Sequence, residues 1–284
     1  MSEQEIRFFL MLFAVFATFF GACVGSFLNV CIYRIPRDES VITPRSHCPK
    51  CNTLIPWYLN VPVLSWLVLR GRCASCRETI SFRYTLVELF TAMLFLAVFM
   101  KWAAPAAARM LPIPHPLLIP VYWLFLAGLI LGTFVDFEHF IIPDSVTIGG
   151  MVAGPLISAL VPVLHGKELW WQGLFSSCVG LFVGFGLLYA VAWIGSKIFK
   201  KEAMGFGDVK LMGAIGAFLG WQSVLFTIFI SSLLGSVCGL AMIALGQAKM
   251  QSRIPFGPYI SAAAAIWLFW GQSIINLYLG LMAR

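Results

Sequence analysis

The chain has 284 residues, 60% of them hydrophobic and 11% charged, with a mean hydropathy of +0.90. Globular chains carry about a quarter charged residues, so this composition excludes a water-soluble globular domain and assigns the chain to the bilayer. A formal charge of +7 raises nucleic acid as a partner, and the placement of the basic residues argues against it below.

The first apolar run, 8–33, is too long for the core of a cleaved signal peptide. It has only Arg7 before it, against Glu3 and Glu5, so it is expected to remain as a span. Gly21 and Gly25, four apart and beside Ser26, give that helix a small face for close packing on a neighbour. A polar insert follows at 34–83. Further apolar runs lie near 84–100, 117–135, 145–164, 173–196, 209–219, 222–246 and 257–282. A span needs about 20 helical residues, and the run at 209–219 is short. It is expected to cross, or nearly cross, so that the basic loops on either side share one face. The fold class is an α-helical polytopic membrane protein with about eight transmembrane helices and a small cytosolic zinc-binding insert. Its parts are a first helix at 1–33, the insert at 34–83 and a membrane core at 84–284.

With the N-terminus outside, the inner loops hold Arg34, Arg37, Arg45, Lys50, Arg70, Arg72, Arg77 and Arg83, then Lys197, Lys200, Lys201, Lys210, Lys249 and Arg253. The outer side keeps Arg7, Lys101, Arg109, Lys167 and Arg284. This asymmetry assigns the charge to orientation rather than to nucleic acid, and it places the insert in the cytosol.

Within the insert, Cys48-Pro49-Lys50-Cys51 and Cys73-Ala74-Ser75-Cys76 form two CxxC knuckles. Two residues between cysteines let both thiolates reach one tetrahedral ion, and two knuckles complete a closed, structural zinc site with four thiolate ligands. Disulfides are the competing reading, which a reducing cytosol disfavours. His47 has no place left in a four-thiolate shell. Cys23, Cys31, Cys178 and Cys238 read as small buried residues. Trp57, Tyr58 and Trp66 are too apolar for a solvated loop; they lie on the membrane surface or pack inside the module.

Acidic residues are few beyond the insert, and near hydrocarbon they are functional candidates. Asp136, Glu138 and Asp144 cluster after the third span, and Asp208 sits in Gly205-Phe206-Gly207-Asp208. Plain structural readings exist for each: Asp144 and Asp208 as helix caps, Glu138 and His139 as solvated loop residues. Two acids at matched depth, one beside a Gly-x-Gly, favour water activation by a carboxyl pair instead. Helix-end partial charges predict an unequal pair, with the proton on Asp136 at a helix C-terminus and the charge on Asp208 at a helix N-terminus, where Lys210 adds positive charge.

Gly25-Ser26-Phe27-Leu28-Asn29-Val30, the paired knuckles, Arg83-Tyr84 through Val87-Glu88, Ile142-Pro143-Asp144, Gly205-Phe206-Gly207-Asp208-Val209-Lys210 and Pro255-Phe256-Gly257-Pro258-Tyr259 together resemble the type IV prepilin peptidase family. Thr85 departs from the proline usual after Arg-Tyr. The resemblance implies a GxGD aspartyl protease of the bacterial inner membrane with Asp136 and Asp208 as its catalytic pair. It implies that basic leader peptides are removed from prepilins or type II secretion pseudopilins, and that S-adenosylmethionine then methylates the new N-terminus. No Gly-rich loop in the sequence identifies a methyl-donor site. Two readings compete: a GxGD protease of other membrane proteins, or a zinc-module scaffold or transporter with the acids as ion ligands.

Overall fold

The computed structural model describes residues 3–48, 50–105, 115, 117–200, 204–246 and 254–282. Lys201, Lys249, Arg253, Arg109 and Arg284, used above to orient the chain, lie outside the described residues. The described chain is helical, without strands, and divides into two compact units, Met1–Leu131 and Gly132–Arg284.

The first unit holds α1 (Glu3–Arg34), the cysteine insert with a short helix α2 (Leu64–Val68), α3 (Phe82–Val98) and the first part of α4 (Leu118–His139). α3 continues through a wide π turn at Phe99–Ala103. α1 and α3 run antiparallel along one seam. A Cβ on Gly21 would lie 2.8 Å from Ala92 Cα, and one on Gly25 would lie 2.7 Å from Glu88 Cα. One turn further along, Asn29 Nδ2 donates to the Tyr84 carbonyl at 2.9 Å. Residues 21, 25 and 29 thus oppose 92, 88 and 84, as the i, i+4 periodicity of both helices requires. Phe95 stacks on Trp123 of α4 at 4.9 Å, and the Trp123 indole donates to the Phe95 carbonyl.

Two buried side chains hold the insert to these helices. The Arg34 guanidinium donates to the carbonyls of Ser40 at 2.9 Å and Pro44 at 2.7 Å, fixing the chain as it leaves α1. The Glu88 carboxylate accepts the Val63 N–H at 2.7 Å. Val63 has φ of 62°, a region that β-branched residues enter only under constraint, and this hydrogen bond supplies part of that constraint.

The second unit contains the rest of α4, then α5 (Asp144–Leu160), α6 (Trp170–Phe199), α7 (Phe206–Leu219), α8 (Trp221–Ala244) and α9 (Gly257–Met282). Its centre is α7, which packs on α5, α6, α8 and α9 and is buried from Asp208 through Phe218 except at Lys210. Glycines make this possible. A Cβ on Gly180 of α6 would sit 2.0 Å from the Gly216 carbonyl oxygen of α7, and one on Gly216 would sit 2.0 Å from that of Gly180. Ser177 donates to the Ala217 carbonyl at 2.7 Å beside this contact.

Among the described residues, six helices are long and apolar enough to cross a membrane: α1, α3 with its π turn, α4, α6, α8 and α9. The two others expected as spans are shorter. α5 has 17 residues, about 25 Å at 1.5 Å per residue. It stops at Leu160 because Pro162 opens a 3-10 turn, Pro162–His165, whereas its apolar run reads on to 164. α7 has 14 residues, about 21 Å, and its neighbours in the protein screen it from lipid.

Candidate active site and metal centre

The last turn of α4 turns Asp136 inward. Val135 and Asp136 are buried, while Phe137 faces outward. After His139 the chain reverses through Phe140, at φ 55°, and Ile142 tucks back into the core. Asp208 enters from the start of α7, whose N-cap is Gly205 in extended conformation. Its carboxylate lies over that glycine: a Cβ on Gly205 would be 3.3 Å from Asp208 Oδ2. Both acids are more than nine-tenths buried, and they are close enough for their charges to interact.

A third element completes this site. Gly257, the first residue of α9, donates its N–H to Asp136 Oδ2 at 2.9 Å. A Cβ there would sit 2.8 Å from the same oxygen. Ile142 fills the space between the two acids' supports. It would lie 3.1 Å (Cδ1) from a Cβ on Gly257 and 3.4 Å (Cβ) from a Cβ on Gly207. Two buried carboxyls with one oxygen fixed as an acceptor form an arrangement suited to sharing a proton and handling a water between them.

The insert is built from one motif used twice. Asn52 N–H donates to the Cys48 carbonyl at 2.9 Å, and Arg77 N–H to the Cys73 carbonyl at 3.1 Å. Both donors have left-handed backbone, φ 56° and 60°. Cys48 N–H bonds to the Thr53 carbonyl as Cys73 N–H does to that of Glu78. Bridges pair His47 with Leu54 and Arg72 with Thr79. The two knuckles bring the four Sγ atoms within 4.8 Å of one another. Cys48 and Cys76 are 3.8 Å apart, and Cys51 and Cys73 are 4.0 Å apart. Disulfide sulfurs lie about 2 Å apart, so these are thiols. A tetrahedral ion with metal–sulfur bonds of about 2.3 Å has edges of about 3.8 Å, and the donor set fits such an ion. Cys51 Sγ lies 3.3 Å from the Thr53 hydroxyl; the Thr53 side chain and backbone hold the Cys51 thiol down at about 6, while Cys76 in the same cluster is pushed up to about 12.

Residues 19–102 match the family described as the bacterial Peptidase A24 N-terminal domain, and residues 123–240 match the type IV leader peptidase family. The prepilin leader peptidase/N-methyltransferase of Myxococcus xanthus is 40% identical over 245 residues, 85% of this chain and 67% of the relative. That of Aeromonas hydrophila is 36% identical over 288 residues, covering 92% and 91%, and that of Pseudomonas aeruginosa 32% over 295, covering 91% of each. The chain belongs to the type IV leader peptidase family. It is a multi-pass membrane enzyme, an aspartic peptidase. No solved structure gives a significant match.

Several side chains sit where sequence reasoning did not put them. Asp144 is not a cap: Pro143 holds the N-cap position. Its carboxylate pairs with Lys210 Nζ at 2.7 Å and accepts from Thr147, tying the start of α5 to the first turn of α7. Lys210 is therefore engaged with Asp144 rather than lending charge to Asp208. Asp136 lies inside the last turn of α4, which runs on to His139, and its Oδ2 is occupied as an acceptor. The expectation of a proton on Asp136 thus loses the Lys210 argument and keeps the helix C-terminus, and a proton held there would have to sit on Oδ1, since Oδ2 accepts from Gly257. Glu138 and His139 belong to α4 rather than to a loop, with their side chains 3.9 Å apart and partly buried. Trp66 packs inside the insert, its indole donating to the Ile80 carbonyl and its ring against Gly71 and Phe82. Trp57 and Tyr58 are exposed. The role of Gly257 was invisible in sequence beyond its place between Pro255 and Pro258.

Proposed function

We propose that this chain is a prepilin or pseudopilin leader peptidase that cuts at the cytosolic face of the bacterial inner membrane with Asp136 and Asp208 as its catalytic pair. We further propose that it methylates the new N-terminus. The observation that carries the reading is the pairing of two deeply buried acids, drawn from helices far apart in sequence, with Gly257 orienting one of them. One carboxylate takes a proton from water as the water oxygen attacks the scissile carbonyl carbon. The other, protonated, donates its proton to the carbonyl oxygen; as the C–N bond breaks, the first passes the proton it took from water to the departing amine, and the second takes its own proton back from the collapsing diol. The bias of Lys and Arg toward the loops flanking this site supports its cytosolic placement.

The domain division follows: a first helix at 1–33, a zinc-binding insert at 34–83 held by Cys48, Cys51, Cys73 and Cys76, and a protease core at 84–284. A closed four-thiolate site holds the insert's fold and leaves no open position for chemistry. S-adenosylmethionine would supply the methyl group to the amine freed by cleavage. The names of the relatives above support both activities.

Mass spectrometry of a prepilin N-terminus after incubation with the reconstituted enzyme reads cleavage and methylation together. Asp136→Asn and Asp208→Asn should each lower cleavage by on the order of 100-fold or more while the protein stays in the membrane. Near wild-type processing by either variant would refute the pair. Given a pre-cleaved pilin and S-adenosylmethionine, Asp208→Asn should still methylate; loss of methylation would place both reactions in one site.

A further inference from the structure

The loop that joins α4 to α5 carries one buried side chain, and three helices meet on it. Phe140 and Ile141 are exposed, whereas Ile142 is buried. A Cβ on Gly132 of α4 would lie 3.4 Å from Ile142 Cγ2, and one on Gly207 of α7 would lie 3.4 Å from its Cβ. One on Gly257 of α9 would lie 3.1 Å from its Cδ1. Each of these glycines stands next to a catalytic carboxyl. Gly132 is one helical turn before Asp136, Gly207 immediately precedes Asp208, and the Gly257 N–H donates to Asp136 Oδ2 at 2.9 Å. One side chain therefore abuts the bare backbone that carries both acids.

Isoleucine suits a fixed spacer at this point. Branching at Cβ leaves it few χ1 states, and its Cγ2 and Cδ1 ends reach different helices. With glycine on all three sides, no intervening side chain can yield, so a change at Ile142 passes directly into helix position. The loop is also fastened two residues on. Asp144 Oδ1 accepts from Lys210 Nζ at 2.7 Å and from the Thr147 hydroxyl at 3.3 Å. Lys210 lies two residues beyond Asp208, so this ion pair joins the chain just after Ile142 to the chain just after Asp208. The Asp144 side chain is 63% exposed, and a pair so exposed contributes little to global stability. Its effect is local.

We propose that Ile142 is a positioning residue for the aspartate pair: it sets the separation of Asp136 and Asp208, and the Asp144–Lys210 ion pair keeps it seated. This rests on the two-aspartate reading above and deepens it by naming what fixes the distance between the acids. Two carboxyls that handle one water tolerate little drift, because a misplacement of about 1 Å at a reacting group can cost about 100-fold in rate.

Steady-state cleavage of prepilin by the reconstituted enzyme tests it. Ile142→Ala keeps the Cβ beside Gly207 and removes the Cγ2 and Cδ1 ends. Its kcat should fall at least about tenfold with KM within about twofold, since the lost geometry matters in the transition state rather than in binding. Ile142→Val removes only the Cδ1 contact, with an expected fall of about threefold, and is the second variant should the first fold poorly. Asp144→Asn and Lys210→Met should each lower kcat about two- to fivefold, and the double variant no further, because they break one interaction. In the background of whichever Ile142 variant folds, Lys210→Met should cost a smaller factor than in the wild type, because the ion pair acts through Ile142. An undiminished loss there would mean that Lys210 acts on Asp208 directly, and would overturn the proposal. Wild-type kcat in the Ile142 variants would overturn it as well. Asp136→Asn and Asp208→Asn, assayed alongside, separate the two readings. Near wild-type cleavage by either brings down the aspartate pair and this inference with it; if both are inactive while the Ile142 variants are unimpaired, only the spacer assignment fails.

Discussion

Gly257→Ala is the sharpest test of the site, because the structure predicts an effect on chemistry and little else. The new methyl would sit 2.8 Å from Asp136 Oδ2, 3.3 Å from Asp136 Cγ and 3.1 Å from Ile142 Cδ1. The backbone at 257 is not among the positive-φ positions, so alanine meets no conformational penalty there. The collision falls on the carboxylate itself, which must swing away and give up the 2.9 Å hydrogen bond from the Gly257 N–H. A hydrogen bond to a charged group contributes about 1.5–3 kcal/mol. At about 1.36 kcal/mol per decade of rate, kcat for prepilin cleavage should fall about 10- to 150-fold, with KM changed less than about threefold. Gly280→Ala, on the same helix with nothing within 4 Å, is the control and should be silent. The assay is the initial rate of leader release by reconstituted enzyme at saturating prepilin. A Gly257→Ala enzyme within twofold of wild type would refute the view that this N–H orients Asp136 for catalysis.

Three further outcomes are expected. Purified protein should contain one zinc per chain, and Cys73→Ser should lose it together with the protease resistance of the insert, since metal binding at such a site is folding energy; metal-free wild type with an intact insert would contradict this. Gly180→Ala should lower the melting temperature sharply, because its methyl would meet the Gly216 carbonyl at 2.0 Å and overpacking against backbone costs at least about 1–3 kcal/mol; Gly186→Ala, with nothing within 4 Å, should leave it unchanged. Burial pushes His165, in the turn after α5, down to about 4, so below about 6.5 the unfolded chain binds a proton that the folded chain refuses. Stability should therefore fall between pH 6.5 and about 4, by roughly 3 kcal/mol in total, and level off below. Melting of wild type and His165→Gln in detergent across that range should diverge; parallel curves would remove His165 as the cause.

What the sequence discloses here is what is local. The CxxC spacing carries the metal site because two residues between thiols fix their geometry, whatever the surrounding fold. Gly21 and Gly25 announce a close helix contact, and α3 supplies it. The CxxC pairs disclose two knuckles but not the identical backbone that follows each, because Asn52-Thr53 and Arg77-Glu78 share no chemistry, only backbone conformation. Long-range pairings are hidden for a different reason. Lys210 stands two residues from Asp208, yet its side chain goes to Asp144, 66 positions away. Gly257 reaches Asp136 across 121 positions through a backbone N–H, a donor that every residue but proline carries and no motif can flag. Hydropathy ended the third span near Val135, whereas α4 runs on to His139 and keeps Asp136 inside its last turn.

The central position of α7 bears on how the protein is made. A 14-residue apolar helix is below the length at which a segment enters hydrocarbon on its own, and α7 carries Asp208 and Lys210 in its first turns. A single residue, Gly220 at φ 82°, joins it to the 24-residue α8. The two are thus committed to enter as a helical hairpin, with α8 supplying the hydrophobic drive. α7 then settles against the glycines of α6, already in place from earlier synthesis. Thickness of the host membrane acts on α6, α8 and α9, while the helix bearing Asp208 is indexed to them by backbone contact. The depth of the helix bearing Asp208 is therefore set by contact with its neighbours rather than by its own length in lipid.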